Sequence, residues 1–260
     1  MPVDDSTRMF RLDGRTAIVT GASSGLGVTM AEALAGAGAN VVVAARRAER
    51  IEELARSIVG AGGQALAVRC DVSSEEDVDR LVAASLERFG AIDVLVNNAG
   101  MANPQPAEQE SLEQFRRIID VNLNGVFLCA QRCGRVMLEA KRGVIVNVAS
   151  VLGVVGAGQI PQASYTASKG GVVNLTRELA AQWARRGIRV NAILPGWFPS
   201  EMTAEMFDSD DGKRWIRGRT PMGRAGDPRE LDGALLFLAS DASTYVTGAT
   251  IAVDGGWTTV

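Results

Sequence analysis

Short runs of β-branched and aliphatic residues alternate with stretches of helical periodicity from one end of the chain to the other. The runs Arg15–Thr20, Asn40–Ala44, Gln64–Arg69, Ile92–Val96, Val144–Val148, Ile188–Leu194 and Thr250–Val253 predict seven strands. Between them, the spacing of apolar positions predicts helices over Ser24–Ala37, Ala48–Val59, Ser74–Phe89, Ser111–Ala140, Ala163–Arg185 and Pro228–Ser240. Ser73-Ser74-Glu75-Glu76 supports one of these boundaries by placing a hydroxyl cap and acids at a helix start. The strands are apolar at successive positions, as expected where helices cover both faces of a sheet. Regular strand–helix alternation calls for parallel pairing. The expected fold class is therefore α/β, a single doubly wound parallel sheet of about seven strands with helices on both faces. No linker, repeat or low-complexity tract divides residues 1–260, so one domain is expected. The one irregular stretch, Trp197 to Asp227, is polar, carries Gly212, Gly218, Gly223 and Gly226, and is expected to form a mobile flap.

Composition narrows the function. Apolar residues make up 47% of the chain, enough to bury a sizeable core without staples. The net charge is −3 and the basic residues are scattered among 30 acids, so no nucleic-acid partner is expected. The most apolar run, Gly143 to Gly158, is interrupted by Asn147 and Ser150 and is short for a membrane span. Residues 1–14 are polar and broken by Pro2 and Gly14, unlike a secretion signal, so a cytoplasmic location and no membrane partner are expected. Cys70, Cys129 and Cys133 form no C-x-x-C pair and read as small buried apolar residues. The chain contains no histidine, which excludes Ser-His-Asp and Cys-His hydrolases and His-ligated zinc; no metal site is expected. Acid/base chemistry must then use Tyr, Lys, Asp, Glu or Cys.

Three local patterns carry chemistry. Thr20-Gly21-Ala22-Ser23-Ser24-Gly25-Leu26-Gly27 joins the first strand to the first helix. Glycines at such a turn let a dinucleotide pyrophosphate approach backbone N–H groups at a helix N-terminus. Glycines also serve plain tight turns, but the strand–turn–helix context favours cofactor binding. The second strand ends Val43-Ala44-Ala45-Arg46-Arg47, with no acid before Glu49. An acid there would hold ribose hydroxyls, whereas arginines pair with a 2′-phosphate, so NADP(H) is favoured and NAD(H) is the alternative. Both arginines as solvated residues at a helix start is the competing account. Finally, one of only two tyrosines and one of only three lysines fall in Tyr165-Thr166-Ala167-Ser168-Lys169. At i, i+4 they share a helix face, where an ammonium would lower the phenol's pKa and let it exchange a proton with a carbonyl oxygen.

From about Phe10 to Trp257 the chain resembles the short-chain dehydrogenase/reductases. The matching pieces keep that family's order: the Thr20–Gly27 turn, Cys70-Asp71-Val72, Asn97-Asn98-Ala99-Gly100, Val121-Asn122-Leu123, Ser150, Tyr165 with Lys169, Pro195-Gly196 and Asp254-Gly255-Gly256. The resemblance implies a Rossmann fold and reversible hydride transfer between NADP(H) and a small-molecule ketone, aldehyde or alcohol, 3-oxoacyl substrates included. It implies Tyr165 as acid/base, Lys169 lowering its pKa and holding the nicotinamide ribose, and Ser150 hydrogen-bonding the substrate oxygen. Asn122 would hold a water of a proton relay. Gly21, Ser23, Ser24, Gly25, Leu26 and Gly27 would receive the pyrophosphate, and Arg46 and Arg47 the adenosine phosphate. Asp71 and Val72 would meet the adenine, and Asn98, Ala99 and Gly100 would line the path to the nicotinamide ribose. Pro195, Gly196, the backbone of Phe198 and Ser200 would approach the nicotinamide. Structural alternatives exist: Asn98 and Asn122 satisfying buried backbone, Asp71 as a helix-start acid, Ser150 as a turn serine. The Ser150–Tyr165 spacing is longer than usual for the family, which marks residues 156–162 as a short insertion facing the substrate. Leu152, Ile160, Trp197, Phe198, Met202, Met206 and Trp215 are candidates for an apolar pocket under the flap, or else core or interface residues. The family implies a homotetramer built on the two long helices. Rival functions are an NAD-dependent alcohol or sugar dehydrogenase, a non-catalytic dinucleotide sensor and a Ser-Lys hydrolase. If the arginines read the 2′-phosphate, Arg46→Asp should weaken NADPH binding far more than NADH binding in a fluorescence titration; an equal loss for both would remove the assignment.

Overall fold

In the computed structural model, which describes residues 6–260, the seven apolar runs pair into one parallel sheet. The first five residues of the polar opening stretch lie outside the described residues. The strands are β1 (Thr16–Thr20), β2 (Asn40–Ala45), β3 (Gln64–Arg69), β4 (Val94–Asn97), β5 (Gly143–Val148), β6 (Ile188–Pro195) and β7 (Thr250–Val253), in the order β3-β2-β1-β4-β5-β6-β7. The α-helices are α1 (Leu26–Gly36), α2 (Ala48–Gly60), α3 (Glu75–Phe89), α4 (Leu112–Ile119), α5 (Gly125–Ala140), α6 (Ala163–Trp183), α7 (Ala204–Asp208), α8 (Asp210–Arg219) and α9 (Asp232–Ala239). Successive strand residues serve opposite layers, which is why both alternations in the central strands are apolar. Ala17 and Val19 of β1 pack with Met30 and Leu34 of α1 and Leu235 and Leu238 of α9. Ile18 packs on the other side with Val78 and Leu81 of α3, Met137 of α5 and Leu179 of α6. The two edge strands depart from the all-apolar expectation: residues of β3 and β7 stay partly exposed, because each lacks a neighbour on one side. Cys70, Cys129 and Cys133 sit in the α3/α5/α6 layer as free, buried thiols, and burial pushes Cys70 and Cys133 up to about 12.

Sheet order reverses between β1 and β4. Chain leaving β1 therefore turns toward one side and chain leaving β4 toward the other, which opens a crevice at the C-terminal edge of the strands. Several expected boundaries change there. The single helix expected over Ser111–Ala140 is divided by a π turn at Asp120–Asn124, with Asn122 inside it. One extra residue per turn leaves the apolar periodicity almost unaltered, so the sequence pattern carries no trace of it. The stretch expected to be an irregular mobile flap instead contains α7 and α8. Ser209 accepts a hydrogen bond from the Gly212 N–H, Asp210 and Asp211 occupy the first turn of α8, Arg217 and Arg219 its last, and Ile216 is buried. A capped, charge-matched helix with a single buried anchor reads as polar loop by composition. The 156–162 segment is braced to this flap through the Trp215 Nε1–Gln159 Oε1 hydrogen bond and to the 102–110 loop by the Gln105 N–H donating to Pro161 O at 2.8 Å.

A buried polar ladder ties the central strands to their helices. Asn97 Nδ2 of β4 donates to Asn147 Oδ1 of β5 at 3.0 Å and to Val126 O of α5 at 3.3 Å. Asn147 Nδ2 donates to Thr176 Oγ1 of α6 at 2.9 Å, and Thr176 donates to Val172 O at 2.8 Å. Asn97, Asn147 and Thr176 are each 2% exposed or less, so cutting the ladder strands desolvated partners. Asn147→Ala should lower the unfolding free energy by about 2–3 kcal/mol. Denaturant titration checks this; a loss under about 0.5 kcal/mol, the range of a neutral surface change, would show that the ladder is dispensable.

Candidate active site

The crevice holds a cavity of about 550 Å³. Arg46, Arg47 and Asp71 line it from the β2 and β3 side, and Ser150, Tyr165 and Lys169 from β5 and α6. All nineteen residues expected at a cofactor, from Gly21 to Ser200, face this one cavity. Of the four expected catalytic residues, Asn122 alone does not line it and lies buried behind the wall.

The glycine turn is built by close approach. Gly21 has φ +68°, and a Cβ there would stand 2.7 Å from Ala99 Cα. A Cβ on Gly27 would run into Gly21 O and Asn98 Nδ2. Gly25 begins α1 and offers no side-chain cap, unlike the serines that cap α3, α4 and α8. The first N–H groups of α1, with the positive end of its dipole, therefore border the cavity without a capping side chain. This is the cradle a pyrophosphate needs, so these residues fit a dinucleotide. Asn98 turns out to brace the cradle: its Nδ2 donates to Thr20 O at 3.0 Å and Gly21 O at 3.2 Å. Thr20 completes the brace, its Oγ1 accepting from the N–H of Asn98 and of Ala99, both at 3.1 Å. Thr20 was not among the expected site residues, although it is the first residue of the Thr20–Gly27 turn.

At the adenosine end Arg46 is exposed, whereas Arg47 is engaged. Its Nε donates to Ser23 Oγ at 3.1 Å and its Nη2 to Ser24 Oγ at 2.7 Å and to Glu201 Oε2 at 2.9 Å. Arg47 and Ser24 together hold the Glu201 carboxyl below the usual range. Asp71 Oδ1 accepts from the Ser73 N–H at 3.0 Å and from Ser73 Oγ at 2.7 Å, so its carboxylate shapes the turn into α3 as well as lining the cavity. The Ser200 hydroxyl is shared with Thr203 Oγ1 at 3.0 Å.

At the other end Lys169 is 4% exposed, and its Nζ donates to Val148 O of β5 at 2.8 Å. Burial pushes this ammonium down from 10.5 to about 8. The Tyr165 ring centroid lies 5.6 Å from Nζ, confirming a shared helix face. The expectation that Lys169 lowers the Tyr165 pKa meets a difference here. Burial raises the phenol above its ordinary value, and the opposing influence is the hydrogen bond with Ser150. Ser150 Oγ also accepts from the Leu152 N–H at 3.1 Å. Asn122 is clamped by Met101: its Oδ1 accepts the Met101 N–H and its Nδ2 donates to Met101 O, both at 2.9 Å. Asn122 Nδ2 also donates to Ser168 Oγ at 3.1 Å, and Ser168 donates to Tyr165 O at 2.6 Å, so Asn122 reaches the catalytic helix through a serine that sequence reasoning missed.

Among the pocket candidates, Leu152, Ile160, Trp197, Met206 and Trp215 gather with Val151, Ile216 and Trp257 into one apolar cluster against Tyr165. Phe198 belongs instead to the core beside α1 and α9, while Met202 is 47% exposed at the cavity. The three tryptophan rings meet edge-on or tilted at 5.0–5.7 Å, and Arg219 stacks over Trp257 at 4.8 Å. Trp257, near the chain's end, was not anticipated. Among the described residues no cluster of three or more His, Cys, Asp or Glu suits a metal ion, and no helix is long and apolar enough to cross a membrane.

Comparison with known proteins extends the geometry. A family model described as enoyl-(acyl carrier protein) reductase matches residues 21–258. The cis-4-hydroxycyclohexanecarboxylate dehydrogenase of Sinomonas cyclohexanicum is 44% identical, the match covering 95% of this chain and 97% of that one. A 3-oxoacyl-[acyl-carrier-protein] reductase from a Synechocystis species is 40% identical over 95% and 98% of the two chains. The crystal structure of a gluconate 5-dehydrogenase from Burkholderia cenocepacia, in complex with NADP and tartrate, superposes with a TM-score of 0.94 at 40% identity, covering 98% of this chain and 99% of that one. A short-chain type dehydrogenase/reductase from Mycobacterium marinum superposes with a TM-score of 0.93, also at 40% identity, over 97% and 98% of the chains. Similarity of this depth, running almost end to end in sequence and in structure, means that the chain belongs to the short-chain dehydrogenase/reductase family.

Proposed function

We propose that this protein is an NADP(H)-dependent reductase of a small-molecule ketone or aldehyde, acting reversibly on the corresponding alcohol. One observation carries the reading: Ser150, Tyr165 and Lys169 line the same cavity as the uncapped glycine turn and the Arg46–Arg47 pair. A bound nicotinamide supplies or accepts the hydride. The protein's residues supply the rest. Burial keeps the Tyr165 phenol protonated at neutral pH, so it can give its proton to the substrate oxygen in reduction and take one back in oxidation. The Ser150 hydroxyl hydrogen-bonds the same oxygen, where negative charge develops. Lys169 places a buried cation beside the phenol, where it would hold the ribose of a bound nicotinamide nucleotide. Asn122, clamped to Met101 and bonded to Ser168, fixes the π turn against α6 behind Lys169. The aromatic cluster packed on Tyr165 gives the substrate an apolar flank.

NADP(H) over NAD(H) is supported by the absence of an acid at the end of β2 and by NADP in the Burkholderia relative. A homotetramer through α4–α5 and α6 is proposed with it, supported by Leu112 and Phe127 standing exposed at 61% and 44% on the first of these faces. Three free thiols suit a cytoplasmic location.

Tyr165→Phe should retain NADPH binding and lose roughly 10²–10⁴ of turnover with any carbonyl the parent reduces, followed by NADPH absorbance. Retention of parental turnover would remove Tyr165 from its role. Lys169 yields a second test through its pKa. Unfolded, the ammonium holds its proton up to about 10.5; folded, only to about 8. The unfolded chain binds more protons between those values, so this group costs stability below pH 8, and the cost fades as pH rises toward 10.5. Lys169→Met should therefore abolish turnover while its Tm at pH 7 equals or exceeds the parent's, with the advantage shrinking toward pH 10. A clear fall in Tm at pH 7 would show that Lys169 supports the fold.

A further inference from the structure

The flap meets the glycine turn through one charged bridge that the catalytic reading does not use. Glu201 opens the short 3-10 turn Glu201–Thr203 directly after β6's exit loop. That turn is stiff: Ser200 N–H donates to Thr203 Oγ1 at 3.0 Å, and Thr203 Oγ1 donates to Phe198 O at 2.7 Å. It lies against the cradle, since a Cβ on Gly25 would stand 3.1 Å from Ser200 Cβ. From there the Glu201 carboxylate takes both arms of the Arg47 guanidinium, Nη1 to Oε1 at 3.3 Å and Nη2 to Oε2 at 2.9 Å. Arg47 also donates from Nε to Ser23 and from Nη2 to Ser24 of the turn itself, so four of its five N–H groups are engaged. Arg47 and Glu201 both line the dinucleotide cavity.

A guanidinium fork presents the same paired N–H groups to a carboxylate as to a phosphate, and one fork cannot satisfy both in full. We propose that Glu201 competes with the ribose 2′-phosphate for Arg47, which makes Glu201 a specificity-determining residue that holds back phosphorylated dinucleotides and leaves unphosphorylated ones unaffected. The proposal rests on the NADP(H) reading above, because it takes Arg47 as a ligand of that phosphate. It follows that the acid opposing a 2′-phosphate, missing from the end of β2, is supplied across the cleft by the flap. The bridge is half-exposed on both sides, so its strength is that of a surface pair, and the expected effect is modest.

The test uses the purified full chain and two probes that differ in the 2′-phosphate, 2′,5′-ADP and 5′-AMP, titrated calorimetrically at one salt concentration. Glu201→Gln should tighten 2′,5′-ADP about two- to tenfold and change 5′-AMP by less than about twofold, and the gain should vanish in an Arg47→Ala background. If Arg47→Ala weakens 2′,5′-ADP selectively but Glu201→Gln leaves it unchanged, the competition is overturned and the NADP(H) reading stands. If Glu201→Gln weakens 5′-AMP, Glu201 holds the ribose hydroxyls instead, and the proposal is overturned. If the parent and every variant bind the two probes alike, the phosphate assignment fails and takes the proposal with it.

Discussion

The site is organised around an ammonium buried without a carboxylate. Lys169 is 4% exposed, and its Nζ donates to the carbonyl of Val148. A charge in that setting has to be held by geometry. The Val148 carbonyl ties the second turn of α6 to the end of β5, where Ser150 follows two residues later. The contact also fixes the distance between α6 and the chain after β5, which is so short that a Cβ on Gly153 would lie 2.8 Å from Lys169 O. Gly100 meets the lysine from β4's side, where a Cβ would stand 3.6 Å from Nζ and 3.5 Å from Asn122 Oδ1. The chain segments after β4 and β5, the π turn before α5 and the start of α6 thus all converge on one cation, and Tyr165, one turn earlier on α6, is carried into the cavity by that convergence.

At the opposite end the same logic runs with backbone in place of charge. The reversal of sheet order between β1 and β4 brings the end of β4 against the glycine turn, and Thr20 and Asn98 lock the two together. The N-terminus of α1 is left without a side-chain cap where it borders the cavity. Stability is given up at both ends of the cavity: an uncapped helix start at one, a desolvated ammonium at the other. Each deficit has the sign that an anionic dinucleotide and a proton-transferring phenol require.

Much of this was legible in the chain. Central strands declare themselves because both faces are buried, so their apolar runs are continuous, as in Ala17-Ile18-Val19. Residues that line the cavity were legible because glycine turns and the Tyr165–Lys169 spacing are local. What was hidden depends on long-range contact or on subtle local geometry. The π turn at Asp120–Asn124 barely disturbs the apolar period. Helix α8 looks like loop because Ile216 is its one large apolar residue that is fully buried. Ser168, Thr20 and Glu201 act through partners distant in sequence, and no pattern around them signals those partners. The direction of the Tyr165 shift depends on how deeply the phenol is buried and on its hydrogen bond with Ser150, and neither follows from an i, i+4 spacing.

Lys169 is held inside the protein as a cation near the limit of its stability. Only three lysines occur in the chain, so selective carbon labelling of lysine side chains gives a spectrum that can be titrated residue by residue, with Lys169→Met assigning the resonance. The Lys169 signal should titrate near pH 8. A midpoint in the ordinary lysine range, about 10.4, would mean that the ammonium is solvated or paired, and would contradict the arrangement on which the rest of the site depends.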